Sequence, residues 1–177
     1  MPILDLHRDI LPLRDMLYRL ALSITSDNAE AEDVVQETMI RVWTHRDEWT
    51  QIRSIEAYCI AVAKRLAIDR SELKESRHEP LDLTEGTQPA DPDADPHNGL
   101  ARRQQLAIVR KLMAQLPERQ RQVMHLRDVE GRSYREIAQA LSISEDQVKV
   151  CLHRARQKVK QKLQAIEAFG LTTHKKP

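Results

Sequence analysis

One short segment divides this chain into two blocks that are both patterned for helix. Residues 76–100, SRHEPLDLTEGTQPADPDADPHNGL, contain four of the eight prolines and two of the four glycines. Such a segment cannot stay helical and has little apolar surface to bury. On either side of it, apolar residues recur at helical spacing, and no strand pattern is present. The sequence therefore predicts an all-α protein, with two small helical domains joined by an acidic flexible linker.

The domain boundaries follow from helix start and stop signals. We expect a first domain at 8–75, the linker at 76–100, a second domain at 101–168 and a tail at 169–177. Helices are expected at about 9–25, 28–43, 55–75, 100–116, 117–131, 133–142 and 145–167. The start signals are Asp27 with Glu30 three residues later, Ser54, Ser133 and Ser144. Because the linker has no core of its own, few contacts are expected to cross between the domains.

Apolar stripes predict which helix faces are buried in the first domain. In the second helix the expected stripe is Val35, Met39 and Val42, joined by Trp43. In the third helix it is Tyr58, Val62, Leu66 and Leu73. A second, mostly polar stripe of the second helix contains the exposed apolar Ile40, which permits a protein contact without requiring one.

The net charge of +1 conceals an uneven distribution along the chain. Residues 1–75 carry 10 basic and 14 acidic side chains, and residues 101–177 carry 17 basic and 7 acidic ones. A basic half suits phosphate binding, although a Lys-rich solvated bundle would have the same composition. The opposite charges also predict that the N-terminal half lies against the basic half in the free chain.

Several classes of site are not indicated. No apolar run approaches the roughly 18 residues that a membrane span needs. Cys59 and Cys151 lie far apart, and the seven histidines are scattered without metal-ligand spacing. We expect a reduced, cytoplasmic protein that is not an enzyme, has no cofactor or metal, and does not insert into a membrane.

The stretch SYREIAQALSISEDQVKVCLHRARQKVKQKL indicates a helix-turn-helix. Its apolar anchors are Ile137, Ala138, Leu141, Ile143, Val148 and Leu152, and basic residues lie between them. In a DNA-reading motif the start of the second helix enters the major groove while the first helix braces the backbone. Helical hairpins without DNA function can have a similar pattern, so periodicity alone leaves both interpretations open.

The segment LPERQRQVMHLRDVEGRSYREIAQALSISEDQVKVCLHRARQKVKQKL resembles region 4 of bacterial extracytoplasmic-function (ECF) sigma factors, in the sigma-70 family. AEDVVQETMIRVW and EAYCIAVAKRLAIDR resemble region 2 of the same family. The order of the segments matches, and the acidic linker occupies the gap between the two regions. The resemblance implies a sigma factor that binds core RNA polymerase and directs promoter recognition and melting.

The resemblance also implies a role for particular residues. The residues implied to bind the clamp helices of the largest polymerase subunit are Asp33, Gln36, Glu37 and Ile40. Those implied to bind the minus-ten element are Trp49, Arg53, Lys64, Arg65 and Arg70, with closure of the core as an equally open role for Trp49. Those implied to bind the minus-thirty-five element are Arg135, Ser144, Gln147, Lys149, Val150, His153, Arg154 and Arg156. Further implied partners are the polymerase flap and an anti-sigma factor.

The chain departs from the family pattern at a few positions. Lys64 and Arg65 replace the usual Arg-Asn, and Asp146, Val150 and Cys151 alter the recognition helix. We therefore expect an unusual promoter preference. The alternative function is a two-domain helix-turn-helix regulator that does not stably bind polymerase. A recombinase-like DNA enzyme would need a nucleophile beside an Arg cluster, which is not apparent, and a purely structural adaptor would not explain the charge asymmetry.

Overall fold

The computed structural model describes residues 4–76 and 99–173, with side chains described as far as Phe169. Within these two ranges every regular element is helical, as the sequence predicted. The expected acidic linker lies almost wholly outside the described residues.

The first region is a bundle built from three long helices. A π-helical turn at Leu6–Ile10 and a 3-10 turn at Leu11–Leu13 lead into α1 at Arg14–Thr25. Helix α2 follows at Asn28–Thr44, then a 3-10 helix at Arg46–Gln51 and α3 at Ile55–Ser76. The regular helix begins later than the predicted residue 9, because Pro12 lies in the 3-10 turn and has no backbone N–H to donate.

The second region contains four helices. These are α4 at Gly99–Ala114, α5 at Glu118–Met124, α6 at Tyr134–Leu141 and α7 at Glu145–Thr173. A π-helical turn at His125–Val129 continues α5. The chain then reverses at Gly131, whose φ of +68° lies in the left-handed region that glycine tolerates best.

Two predicted start signals in the first region act as caps. Asp27 Oδ1 accepts hydrogen bonds from the backbone N–H groups of Ala29 and Glu30, at 2.9 and 3.1 Å. Ser54 Oγ accepts one from the N–H of Ala57 at 3.2 Å. The prediction that Glu30 reaches back to Asp27 is wrong, because its carboxylate accepts a charge-assisted hydrogen bond from Arg70 on α3.

The buried face of α3 differs from the predicted stripe. Leu66 is buried, but Leu73 is 57% exposed and Tyr58 and Val62 are only half-buried. The residues that α3 buries are Ala57, Cys59, Ile60, Ala63, Leu66 and Ala67. Leu66 is the one member of the predicted stripe among them, and four of the six have small side chains, which allows α1 and α2 to approach α3 closely.

The two regions pack against each other, with α6 lying on α3. Arg132 Nη1 in the second region lies 2.7 Å from Glu56 Oε1 on α3. A second ion pair has its charges the other way round, with the base in the first region: Arg19 on α1 donates two hydrogen bonds to the carboxylate of Glu130, at 2.8 and 2.9 Å. The expectation of few contacts between the domains is therefore wrong. The halves lie in contact, but of these two ion pairs only that of Glu56 with Arg132 has the expected polarity.

Glu130 forms the most buried of these contacts. Only 4% of its side chain is exposed, and His125 Nε2 lies 3.2 Å from its Oε1. Burial alone would raise the pKa of Glu130, but hydrogen bonds from Arg19 and His125 outweigh that effect and lower its pKa to about 2. The folded chain therefore holds Glu130 as a carboxylate.

Glu130→Gln should destabilise the chain at neutral pH and flatten its acid-unfolding profile. The pKa of Glu130 is lowered from 4.5 to about 2. The Glu130 carboxylate therefore stabilises the folded chain above a pH of 4.5, and this stabilisation is lost as the pH falls towards about 2. Thermal unfolding measured from about pH 7 down to about pH 2 tests this linkage. Exposed Glu72→Gln has the same change of charge and serves as the control; equal profiles for the two variants would contradict the assignment.

Candidate nucleic-acid and protein interfaces

Two capping boxes set the geometry of the helix-turn-helix. Ser133 Oγ accepts from the N–H of Glu136 at 3.1 Å, while the Glu136 carboxylate accepts from the N–H of Ser133 at 2.7 Å. Ser144 and Gln147 repeat this exchange at 3.1 and 2.9 Å. Between them, Ser142 has a left-handed φ of 54° and ends α6. The predicted start signals at Ser133 and Ser144 are confirmed, and they fix where α7 begins.

Helix α7 buries one row of side chains and exposes the other faces. The buried row is Val148, Leu152, Ala155 and Val159. This row packs on α5 and α6 and fixes the rotation of α7 about its own axis. All the residues predicted to bind the minus-thirty-five element are consequently exposed: Arg135, Ser144, Gln147, Lys149, Val150, His153, Arg154 and Arg156.

Four of these exposed side chains, counting Ser144 in its capping box, already have partners within the second region. Gln147 Oε1 accepts the capping hydrogen bond from Ser144, so its side-chain amide nitrogen is the group left to donate elsewhere. Arg156 forms a bidentate ion pair with Asp128, which raises the pKa of Arg156. The ammonium of Lys149 lies 5.9 Å from the ring centroid of Tyr134.

The predicted protein-binding stripe forms a continuous surface on α2. We call it the α2 surface: Asp33, Gln36, Glu37 and Ile40. Ile40 is 65% exposed, and the side chain of Asp33 is 59% exposed. Glu37 is held more firmly, because its Oε1 accepts from Arg41 at 2.7 Å and its Oε2 from Arg70 at 3.1 Å. Hydrogen bonds from Arg70, then Arg41, lower the pKa of Glu37 and keep it ionised.

Trp43 extends the α2 surface, contrary to the prediction that it joins the buried stripe. Trp43 is 40% exposed, and the guanidinium of Arg46 lies 4.9 Å from the centroid of its ring. Trp43 follows Ile40 by three positions, which places the two on one face of a helix. That spacing was visible in the sequence, but the apolar character of Trp43 favoured the core.

Trp49 lies in the core, as the packing alternative for this residue expected. It is 5% exposed, and its ring meets that of Trp43 edge-on, at 6.3 Å between centroids and an interplanar angle of 67°. The 3-10 helix at Arg46–Gln51 turns this side chain inward. In this arrangement the buried ring is not open to a nucleobase, and a contact of Trp49 with the minus-ten element stays a prediction.

The remaining residues predicted at the minus-ten element are placed differently from one another. Arg53 and Arg65 are exposed. Lys64 is half-buried, and burial, followed by the positive charges of Arg119 and Arg65, lowers its pKa. Arg70 points toward α2, where its guanidinium contacts carboxylates. Of the five residues predicted to bind the minus-ten element, only Arg53 and Arg65 are therefore exposed to solvent.

Two other kinds of feature are not found in the described residues. Among residues 4–76 and 99–173, no group of His, Cys, Asp and Glu side chains could hold a metal ion. Over the same described part of the chain, no helix has both the length and the apolar composition needed to cross a membrane.

Comparisons with known proteins give matches to both regions. The family model for sigma-70 region 2 matches residues 10–76, and the model for sigma-70 region 4 matches residues 106–159. The ECF RNA polymerase sigma factor SigL of Mycobacterium tuberculosis is 32% identical over 152 residues, covering 85% of this chain and 84% of SigL.

Solved structures share the fold. The sigma factor RpoE in complex with the anti-sigma factor NepR, from Bartonella quintana, is similar with a TM-score of 0.64 at 20% identity. That match covers 88% of this chain and 94% of RpoE. CnrH in complex with the cytosolic domain of CnrY is similar with a TM-score of 0.65 at 23% identity, covering 88% and 85%.

Replacing Ser144 or Gln147 by Ala should destabilise the second region, because each change breaks one half of the cap of α7. We expect a loss of about 0.5–2 kcal/mol in the free energy of unfolding for each. Gln147→Glu should retain the stability, since a carboxylate accepts the same hydrogen bond from the N–H of Ser144. Chemical denaturation of the three variants checks this; an equal loss for Ala and Glu at residue 147 would contradict the capping role.

Proposed function

Because this chain belongs to the sigma-70 family, among its ECF sigma factors, we propose that it brings core RNA polymerase to promoters through separate surfaces of its two regions. The α2 surface contacts the polymerase, and the exposed face of α7 contacts promoter DNA. The chain is a polymerase-binding sigma factor for transcription initiation. The proposal concerns which side chains perform each step.

The observation that carries the proposal is the exposed face of α7. The row Val148, Leu152, Ala155 and Val159 is fully used in packing, while the opposite positions are polar, basic or exposed apolar. In a helix-turn-helix, the first turns of the second helix reach base edges and later residues meet phosphates.

We assign base readout to the start of α7 and backbone contacts to its continuation. Gln147, Lys149 and Val150 lie at its start, and the exposed side chain of Val150 suits a thymine methyl group. His153 and Arg154 lie farther along, where a helix leaves the groove and meets phosphates. Arg135 on the bracing helix α6 is a further phosphate contact. Arg156 is a weaker candidate, because reaching a phosphate would break its bidentate pair with Asp128.

The α2 surface is proposed to dock on the clamp helices of the largest polymerase subunit. The exposed carboxylate of Asp33 suits a basic partner, and exposed Ile40 and Trp43 supply apolar area. Region 4 is proposed to contact the polymerase flap. For the minus-ten element, Arg53 and Arg65 are the proposed contacts, with Lys64 available once the second region moves away from α3.

An anti-sigma factor is a further proposed partner. The solved relatives RpoE and CnrH are described in complexes with NepR and CnrY. Both share the fold of this chain over most of its length, which supports a similar mode of regulation here. Because its partners are polymerase and DNA, we propose that the chain works in the cytoplasm.

Gln36→Ala combined with Ile40→Ala should weaken binding to core polymerase, because both side chains are exposed on the α2 surface. We expect a loss of roughly 1–3 kcal/mol, the range of a truncated interface anchor. Leu11→Ala with Gln51→Ala is the matched control, since it removes an exposed apolar side chain and an exposed amide elsewhere in the first region. Titration of labelled chain with core polymerase gives the affinities. Equal affinities for the two double variants would remove the α2 surface from the interface.

Arg154→Ala and Gln147→Glu should affect promoter binding by holoenzyme in different ways. Arg154→Ala should weaken all sequences alike and flatten the salt dependence by about one counterion. Gln147→Glu preserves the cap, so it should change which minus-thirty-five sequence is preferred, at a cost of about 1–3 kcal/mol on the original site. A promoter series measured at two salt concentrations separates these effects. An unchanged preference and an unchanged salt slope would mean that α7 only faces solvent.

A further inference from the structure

The side chain of Arg70 connects α3 to the α2 surface. Its Nη1 donates to Glu30 Oε2 at 2.8 Å and its Nη2 donates to Glu37 Oε2 at 3.1 Å. Nη1 also lies 3.5 Å from Asp33 Oδ2. One guanidinium therefore contacts three carboxylates of α2, and two of them, Asp33 and Glu37, belong to the α2 surface.

We propose that Arg70 is a positioning residue for polymerase binding: it holds the carboxylates of the α2 surface in place from behind, and it does not contact promoter DNA. This inference rests on the proposed docking of the α2 surface on polymerase. It changes the role that the family resemblance implied for Arg70.

The first argument is electrostatic. Glu30, Asp33 and Glu37 follow one another at spacings of three and four residues, so their like charges repel along one face of α2. The planar fork of a guanidinium can donate to more than one carboxylate at once, which an ammonium does less well. Arg70 thereby offsets the repulsion and restricts the rotamer of Glu37, whose other oxygen is held by Arg41.

The second argument is directional. Five residues separate Arg65 from Arg70, which corresponds to a rotation of about 140° around an α-helix. Arg65 is exposed, whereas only 29% of the Arg70 side chain is exposed. The carboxylates around Arg70 also create a negative potential that repels a phosphate. Arg70 therefore faces the protein-binding side of the first region, and Arg65 faces away from it.

The third argument concerns the part of the α2 surface that stays exposed when Arg70 is bound to its carboxylates. Asp33 remains 59% exposed, and Gln36 and Ile40 are exposed beside it. A polymerase cation can therefore reach the outer side of this row while Arg70 holds the inner side. Positioning the carboxylates in the free chain reduces the ordering cost that binding would otherwise carry.

Lys74 provides a matched control on the same helix. It lies one turn after Arg70, has 24% of its side chain exposed, and its Nζ donates to Asp27 Oδ2 at 2.8 Å. Asp27 is the N-cap of α2 and lies outside the α2 surface. Lys74→Ala therefore removes a comparable cation between α2 and α3 without releasing Asp33 or Glu37.

The experiment compares full-length wild type, Arg70→Ala, Arg70→Lys and Lys74→Ala. Core polymerase binding is measured by titration, thermal unfolding is measured in parallel, and promoter preference is measured with saturating core. Arg70→Ala should raise the Kd for core roughly tenfold, within the range of coupling in a charge network. Arg70→Lys should recover part of that loss, Lys74→Ala should change the Kd by less than about twofold, and promoter preference should not change in any variant.

Three results would overturn the inference. One is an Arg70→Ala variant that binds core as tightly as wild type or more tightly. Another is a loss of core affinity in Lys74→Ala that equals the loss in Arg70→Ala at equal thermal stability. The third is an altered promoter preference of Arg70→Ala at saturating core, which would make Arg70 a DNA contact.

The variant Gln36→Ala/Ile40→Ala, run in the same titration, separates this inference from the proposed function. If that variant binds core normally, the α2 surface is not the docking surface and both proposals fail. If it binds weakly while Arg70→Ala binds normally, only the role of Arg70 is wrong.

Discussion

Close packing of α3 is the constraint on which the rest of this structure depends. Ala63 and Ala67 are fully buried, so α3 can lie directly against its neighbours in the first region. That approach brings Arg70 within hydrogen-bonding distance of the carboxylates of α2. The same helix carries Glu56 to Arg132 in the second region. The proposed positioning of the α2 surface by Arg70, the proposed minus-ten contact at Arg65 and the Glu56–Arg132 contact between the regions therefore all involve this one helix.

The described arrangement leaves the three proposed surfaces unequally accessible. The α2 surface and the outer face of α7 are open, whereas Lys64 on α3 is half-buried, and burial, followed by the positive charge of Arg119 in the second region, lowers its pKa. The pair of Glu56 with Arg132 is partly exposed, whereas the Glu130 carboxylate that pairs with Arg19 is only 4% exposed. Separation of the two regions would therefore have to break a buried contact as well as a partly exposed one.

Local signals predicted the elements better than they predicted the exposure of single side chains. Asp27, Ser54 and Ser144 act as caps as expected, because a cap depends on residues two or three positions away. Trp43 is exposed where burial was expected, and Trp49 is buried as one of its two open roles expected, because burial here depends on how the 3-10 helix folds back. The role of Arg70 could not be read from the chain either, since its partner Glu37 is 33 residues away. The family resemblance predicted the class of function. The contacts in the structure changed which residues we propose for each role.

The most direct measurement of the central claim is run-off transcription by core RNA polymerase on fragments from upstream of the chain's own operon, with and without the protein. The account predicts discrete transcripts that appear only when the chain is present, because it must both bind core and select a start site. If the chain bound these fragments alone, and core produced the same transcripts with or without it, the chain would be a conventional helix-turn-helix regulator and the account would be contradicted.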